Sequence, residues 1–396
     1  MLLLGRAEIS LGTHRGAKGG REPVSCAARE GEALRREAIR GEHGQTLIIV
    51  VVALPLFLAL IALVSDGSNL FANKRSVQNV ADASVLAAVS QLNSDLSLCT
   101  GPASTAGTCL NKVQTVASDY SQRNNGPTTI GPCIDSSSTN CFQTPYPGDS
   151  DTGALQVRIT RNVPLSFGGV VGLSTSSVSA KAVAGLSLPG AAKNVSPVAM
   201  QKDNVLCNPS SCPATPVQID FDSTAFGYAL LNLHCAWTSP NSSCGTTSNV
   251  SEMNGYIQTG FQGPTATISV DGVAATPGLL PVNKWYIQNN GVKNGVKQGF
   301  DYAADPANGV TLLIPVFDCA YLASPVTTSC TPVAWQPDAY HVIGFAAFVV
   351  ETVIIWNNGQ NGGHQIRGHF VRYIASGVGG GGGGTDFGVH VLTLNE

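Results

Sequence analysis

From Thr46 to Val64 the chain reads TLIIVVVALPLFLALIALV, nineteen residues without a charge. Wound as a helix at about 1.5 Å per residue, this run covers roughly 28 Å, enough to cross the hydrocarbon of a bilayer. A cleaved secretory signal would carry a shorter apolar stretch of about 7 to 15 residues and a small-residue cleavage site after it. Val64 is followed by no such site, so the run is read as a single membrane-spanning helix. Pro55, in its middle, removes one backbone donor, which membrane helices tolerate better than soluble ones. Arg29, Arg35, Arg36 and Arg40 precede the run, whereas only Lys74 and Arg75 follow it closely. By the positive-inside rule the N-terminus faces the cytoplasm and the bulk of the chain lies outside it.

The cysteines agree with that orientation by an independent route. Ten of the eleven follow the apolar run, as close neighbours along the chain: Cys99 with Cys109, Cys133 with Cys141, Cys207 with Cys212, Cys235 with Cys244, and Cys319 with Cys330. An even count in an exported region reads as a disulfide framework, and short loops close at least entropic cost. Zinc is the rival ligand, but no two-to-four-residue knuckle spacing recurs. Cys26, before the run, is expected to stay a free thiol in a reducing cytoplasm. Charged residues make up only 12% of the chain, and the net charge is -3. With no basic field, nucleic acid is not an expected partner.

Beyond the span the apolar pattern narrows to a stripe. Leu70, Val77, Ala81, Val85, Ala88 and Leu92 recur at helical spacing, and Leu110, Val113, Val116, Ala117 and Tyr120 mark a second helix that ends near Asn124, Asn125 and Gly126. Leu155 to Ile159 and Val178 to Leu188 alternate with a period of two and predict an antiparallel strand pair. Further strands are expected at Val310 to Phe317, Tyr340 to Trp356, Gln365 to Ile374 and Phe387 to Leu394. The predicted class is α+β and membrane-anchored: a long transmembrane and amphipathic helix, then a mainly antiparallel β ectodomain with local disulfides. The predicted divisions are 1–45 cytoplasmic and without assigned structure, 46–64 transmembrane, 65–126 a helical stalk, 127–190 the strand pair of a first ectodomain module, and 191–396 a β-rich distal module.

Chemistry-bearing motifs are sparse. No phosphate-binding loop, zinc-protease helix or nucleophile elbow is present. The Gly379 to Gly384 run lacks the strand-to-helix setting of a phosphate cradle. His341, His364 and His369 are too loosely spaced for a zinc triad. Asp149-Ser150-Asp151-Thr152-Gly153 begins like a calcium loop but lacks the later acidic ligand and reads as a solvated turn. Cys235 beside His234 is expected to be bonded, which removes it as a nucleophile. No catalytic residue, metal or cofactor is expected, and the chain is read as a non-enzyme.

The stretch from Gly44 to Ala88, GQTLIIVVVALPLFLALIALVSDGSNLFANKRSVQNVADASVLAA, resembles the N-terminal region of TadG-like proteins of the Tad/Flp pilus-assembly system. Gly44, Gln45, Pro55, Asp66, Lys74, Arg75, Gln78, Asn79, Ala81, Asp82, Ala83, Leu86, Ala87 and Ala88 carry the match together. Leu155 to Leu186 is similar to the strand region that follows the helices in that family. Membership implies a membrane-anchored, extracytoplasmic accessory protein of pilus biogenesis, serving adhesion and surface colonisation, with other assembly proteins or pilin as partners and no reaction. Two features of related proteins are missing. Counting five residues from Gly44 gives Ile49 where peptidase-processed pilins carry Glu. Asp66-Gly67-Ser68 and Asp135-Ser136-Ser137-Ser138-Thr139 lack the surroundings of the metal site found in some members.

The small residues Ala81, Ala83, Ala87 and Ala88 offer a face on which another helix can pack closely, either a partner's or the protein's own ectodomain. The alternative function is a membrane-anchored surface adhesin or carbohydrate-binding protein unrelated to pili, using Trp237, Trp285, Trp335 and Trp356; a secreted hydrolase is a third. The ectodomain's surface ligand is left open.

Overall fold

The computed structural model describes residues 43–94, 103–134, 137–144, 154–208, 212–221, 227–240, 244, 247–262, 269–271, 273–274, 277–289, 295–324, 326–331, 337–356, 363–379 and 384–395. The expectations for Cys26, the preceding arginines, Cys99, Asp135, Ser136, Asp149 to Gly153 and Trp335 lie outside them. The chain divides into two compact units, Met1–Ser65 and Asp66–Glu396.

Helix α1 runs His43–Ser94 without interruption, with Pro55 inside it. From Leu47 to Val64 its large apolar side chains are between 51% and 70% exposed, a run that water alone does not accommodate. This single long apolar helix suggests membrane anchoring. After Ser65 the surface changes. Val77, Val80, Ala81, Val85, Ala88, Val89 and Leu92 are buried, joined by Cys109, Val113 and Ala117 of helix α2, Ala103–Arg123. Helix α2 ends as its sequence predicts. Asn125 takes a positive φ of 59°, and the Gly126 N–H donates to the Ser121 carbonyl at 2.8 Å. A Cβ at position 126 would collide with Ser121 and Val80, so only glycine fits between the helices.

The two helices pack on a sheet whose centre is the predicted hairpin, β1 (Ala154–Pro164) and β2 (Thr175–Ser187), paired antiparallel over eleven register positions. Leu155, Val157, Ile159, Ala180, Ala182 and Ala184 point into the helices, every second residue as the period requires. The stretch 65–126, expected to be a stalk, is therefore one layer of a two-layer unit. A free stalk would have left both stripes in water.

The boundary expected at 190 is crossed by the chain itself. Labelled in chain order after β2, the longer distal strands are β3 (Val198–Gln201), β4 (Val217–Asp220), β5 (Tyr228–Leu230), β6 (Leu312–Ala323), β7 (Ala339–Trp356) and β8 (His364–Val371). The last strand, β9 (Val389–Asn395), leaves this set and pairs antiparallel with β2, from Val391 opposite Ser187 to Asn395 opposite Val183. The six-stranded proximal sheet thus has the order 131–132, 141–143, β1, β2, β9, 373–374.

The distal eight-stranded sheet runs β4, β8, β7, β6, β3, β5, with Lys284–Ile287 added beside β7 and Val326–Ser329 beside β6. Alternate side chains of β6 and β7 supply separate cores: Leu313, Phe317, Tyr340, Phe345 and Ala347 one, and Leu312, Ile314, Val316, Phe348 and Val350 the other. Burial on both faces explains the near-continuous apolar sequence of these strands. The second core is covered by two helices that periodicity did not predict, α3 (Val250–Thr259) and α4 (Lys297–Ala304). Asn249 and Glu252 form a reciprocal capping box at the start of α3, at 3.0 and 2.9 Å.

Four predicted cysteine couples are bonded: Cys133–Cys141, Cys207–Cys212, Cys235–Cys244 and Cys319–Cys330. Cys109 is also disulfide-bonded. Each short loop stabilises by about 2 to 3 kcal/mol in the chain-entropy account. Gly388 takes a φ of 81° where it passes the Cys207–Cys212 bridge; a Cβ there would lie 2.9 Å from one sulfur.

Candidate functional site

Polar side chains emerge from α1 at three- and four-residue steps just past the apolar run, on the flank that meets the β1–β2 hairpin. Asp66 is the first. The N–H groups of Ser166 and Phe167 donate to its Oδ1 at 2.8 and 3.3 Å, and those of Phe167 and Gly168 donate to its Oδ2 at 3.1 and 2.8 Å. One carboxylate thus satisfies three consecutive backbone donors from a loop a hundred residues away. Asp66, the first residue of the stretch compared above with a metal motif, is engaged in holding the hairpin.

The contacts continue along the helix. Asn69 Nδ2 donates to the Pro164 carbonyl at 3.3 Å, and Asn73 Nδ2 holds the Asn69 amide oxygen at 2.9 Å. Lys74 Nζ donates to the Ser179 carbonyl. Gln78 Nε2 donates to the Lys181 carbonyl at 3.2 Å and to Asp82 Oδ1 at 2.8 Å. Arg161 on β1 answers from the sheet, donating to Ser76 Oγ at 3.2 Å and to the Asn125 carbonyl. The acceptors on the hairpin are mostly main-chain carbonyls, which any sequence presents. The sequence on the helix side carries the information.

The hairpin loop is built to receive Asp66. The Leu165 N–H donates to the Ser174 carbonyl at 3.0 Å and the Leu173 N–H to the Gly168 carbonyl at 2.9 Å, closing the turn around a short 3-10 segment, Gly168–Val171. Gly172 ends that segment at a φ of 85°, in the left-handed region that glycine alone enters freely. The N–H groups of residues 166–168 remain outside this closure and point to the carboxylate.

The residues singled out by resemblance thus divide. Asp66, Gln78 and Asp82 share the clamp; Asn79 is exposed beside it; Gly44 and Gln45 lie in the first turn of α1, and Pro55 lies in its apolar half. Of the alanines, Ala81 and Ala88 are fully buried against the hairpin, and Ala83 and Ala87 are half-buried. Ala81 and Ala88 therefore pack in the protein's own core, while Ala83 and Ala87 keep part of their surface exposed. Asn69 and Asn73 were missed; their spacing from Asp66 was the available signal.

The distal candidates stay apart. His341 pairs with Asp318 at 2.8 Å, His369 pairs with Glu351 at 2.8 Å, and His364 is buried beyond them on β8. No group of three or more metal-ligating side chains occurs among the described residues. Trp237 and Trp285 are brought together in a β-bridge, and the Trp285 ring lies 5.2 Å from that of His341. Nearby, the Thr238 hydroxyl and N–H, together with Lys284, hold the Asp271 carboxyl down at about 2. That contact is complete above the ordinary carboxylate range near 3.8 and is lost only as the pH falls through about 2. Cys235, bonded to Cys244, offers no thiolate.

The part of α1 after Ser65 is one wall of a folded unit, latched to a hairpin by polar side chains, and the apolar run before it suggests membrane anchoring. Residues 44–91, which lie wholly within α1, match the family model described as putative Flp pilus-assembly TadE/G-like. No curated protein and no solved structure matches the chain.

Proposed function

We propose that this protein is a membrane-anchored, extracytoplasmic accessory component of Tad/Flp pilus assembly that supports adhesion and surface colonisation and performs no reaction. The observation that carries this reading is the family match falling on a helix that joins an apolar run to the Val77–Leu92 stripe of a folded core. Ile49, standing where peptidase-processed pilins carry Glu, supports an anchor that stays uncleaved. The arginine flank and the disulfides after the span support a cytoplasmic N-terminus and an oxidising surrounding for the rest. Its partners are other pilus-assembly proteins or pilin.

Deletion of the gene, followed by imaging of pili and an adhesion assay, tests the reading. Loss of pili, restored by the full chain, is expected. Normal pili with lost adhesion would instead favour the surface adhesin. A reporter active only in the cytoplasm, fused after Glu396, is expected to be silent; strong activity would overturn the orientation.

A further inference from the structure

We propose that the closed end of the β1–β2 hairpin, presenting Phe167 and Leu173, is a second membrane contact, seated in the headgroup layer of the bilayer that α1 enters; this rests on reading residues 46–64 as a span.

Register places the hairpin end. Going back along α1 from Gln78 to Asp66 covers about 18 Å of helix. Over that course the hairpin partners change from Lys181, through Ser179 and Pro164, to Ser166, Phe167 and Gly168. The closed end is therefore fastened at Asp66, two residues past Val64 in the chain. Two residues are about 3 Å of helix, and the headgroup layer of each leaflet is roughly 5 to 7 Å deep.

The composition suits that location. From Asn162 to Ala180 the chain carries no charged residue, and Arg161 and Lys181 bracket the segment. Water-facing turns are ordinarily polar, yet Phe167 is 42% and Leu173 61% exposed here. The backbone is also prepared. The N–H groups of Leu165, Ser166, Phe167, Gly168, Gly172 and Leu173 have protein acceptors, which lowers the cost of placing this irregular backbone near lipid. Asp66 supplies three of those acceptors' contacts, which gives its position at the mouth of the span a purpose beyond folding.

The test uses the full chain with C26S, reconstituted in phosphatidylcholine nanodiscs, with a nitroxide on L56C, L173C or V326C. Each site is exposed, so labelling leaves the fold intact. The ratio of collisions with oxygen to collisions with a water-soluble nickel chelate reports depth. The ratio at 173 is expected to be several-fold above that at 326 and below that at 56. A ratio at 173 equal to that at 326, with 56 deep in lipid, would overturn the proposal and leave the anchor standing. All three sites reading as water would overturn the anchor reading, and the proposal with it.

Discussion

The two halves of α1 share one backbone conformation and have opposite surfaces. Leu47 to Val64 expose every large apolar side chain, whereas Val77 to Leu92 bury theirs against β1 and β2. Local propensity makes both halves helical. What differs is the arc the apolar residues cover: all round in the first half, one stripe in the second. The first half asks for a solvent of hydrocarbon, the second for a neighbour of protein, and Asp66 stands where the demand changes.

The sharpest way to break this contrast is a charge on the buried side. V85D would place an unpaired carboxylate at a fully buried position, at a cost of about 3 to 5 kcal/mol. Denaturant unfolding of the detergent-solubilised chain should show the loss. An unchanged midpoint would mean that α1 is not packed on the sheet. At the changeover, D66A removes the acceptor of three backbone N–H groups, and about 2 kcal/mol is expected to go with it. Hydrogen exchange should accelerate at residues 166–168 and stay slow in the middle of β1. Protection kept at those amides would show that the loop holds itself. Further along, Q78A loses one partly exposed contact to the Lys181 carbonyl, expected to cost about 0.5 to 1 kcal/mol. On the exposed half, L58A should alter the unfolding midpoint by less than about 0.5 kcal/mol, since its side chain touches no protein core. A larger effect there would erase the distinction between the halves.

The contrast also explains what could be read in advance. The extent of α1, the second stripe and the β1–β2 pair are periodic signals, written within a few turns or a single strand. The Asn124-Asn125-Gly126 stop and the neighbouring cysteine couples are likewise local. The partner of a stripe is not local. Val77 to Leu92 have the same pattern whether they face a separate helix or Leu155 and Ala182, so a stalk and a packed layer look alike in sequence. The return of β9 to β2 was hidden for the same reason, because alternation in Val389 to Leu394 states a strand and not its neighbour. Helices α3 and α4 are only two to three turns long, and the capping box at Asn249 and Glu252 was the legible clue. Asp66 was visible as a residue but not as a clamp, because its donors are main-chain groups a hundred positions away.

The strand β9 bears on the order in which the molecule can be made. Its seven residues are synthesised after the whole distal sheet, yet they lie beside β2 in the sheet that α1 covers. Helix α1 leaves the ribosome before the sheet it packs on, and that sheet receives β9 only after the distal strands have been made. The proximal unit can therefore reach its complete form only after the whole distal sheet has been threaded out. A chain without residues 389–395 would keep its hairpin and its clamp, and lack the strand that joins β2 to residues 373–374.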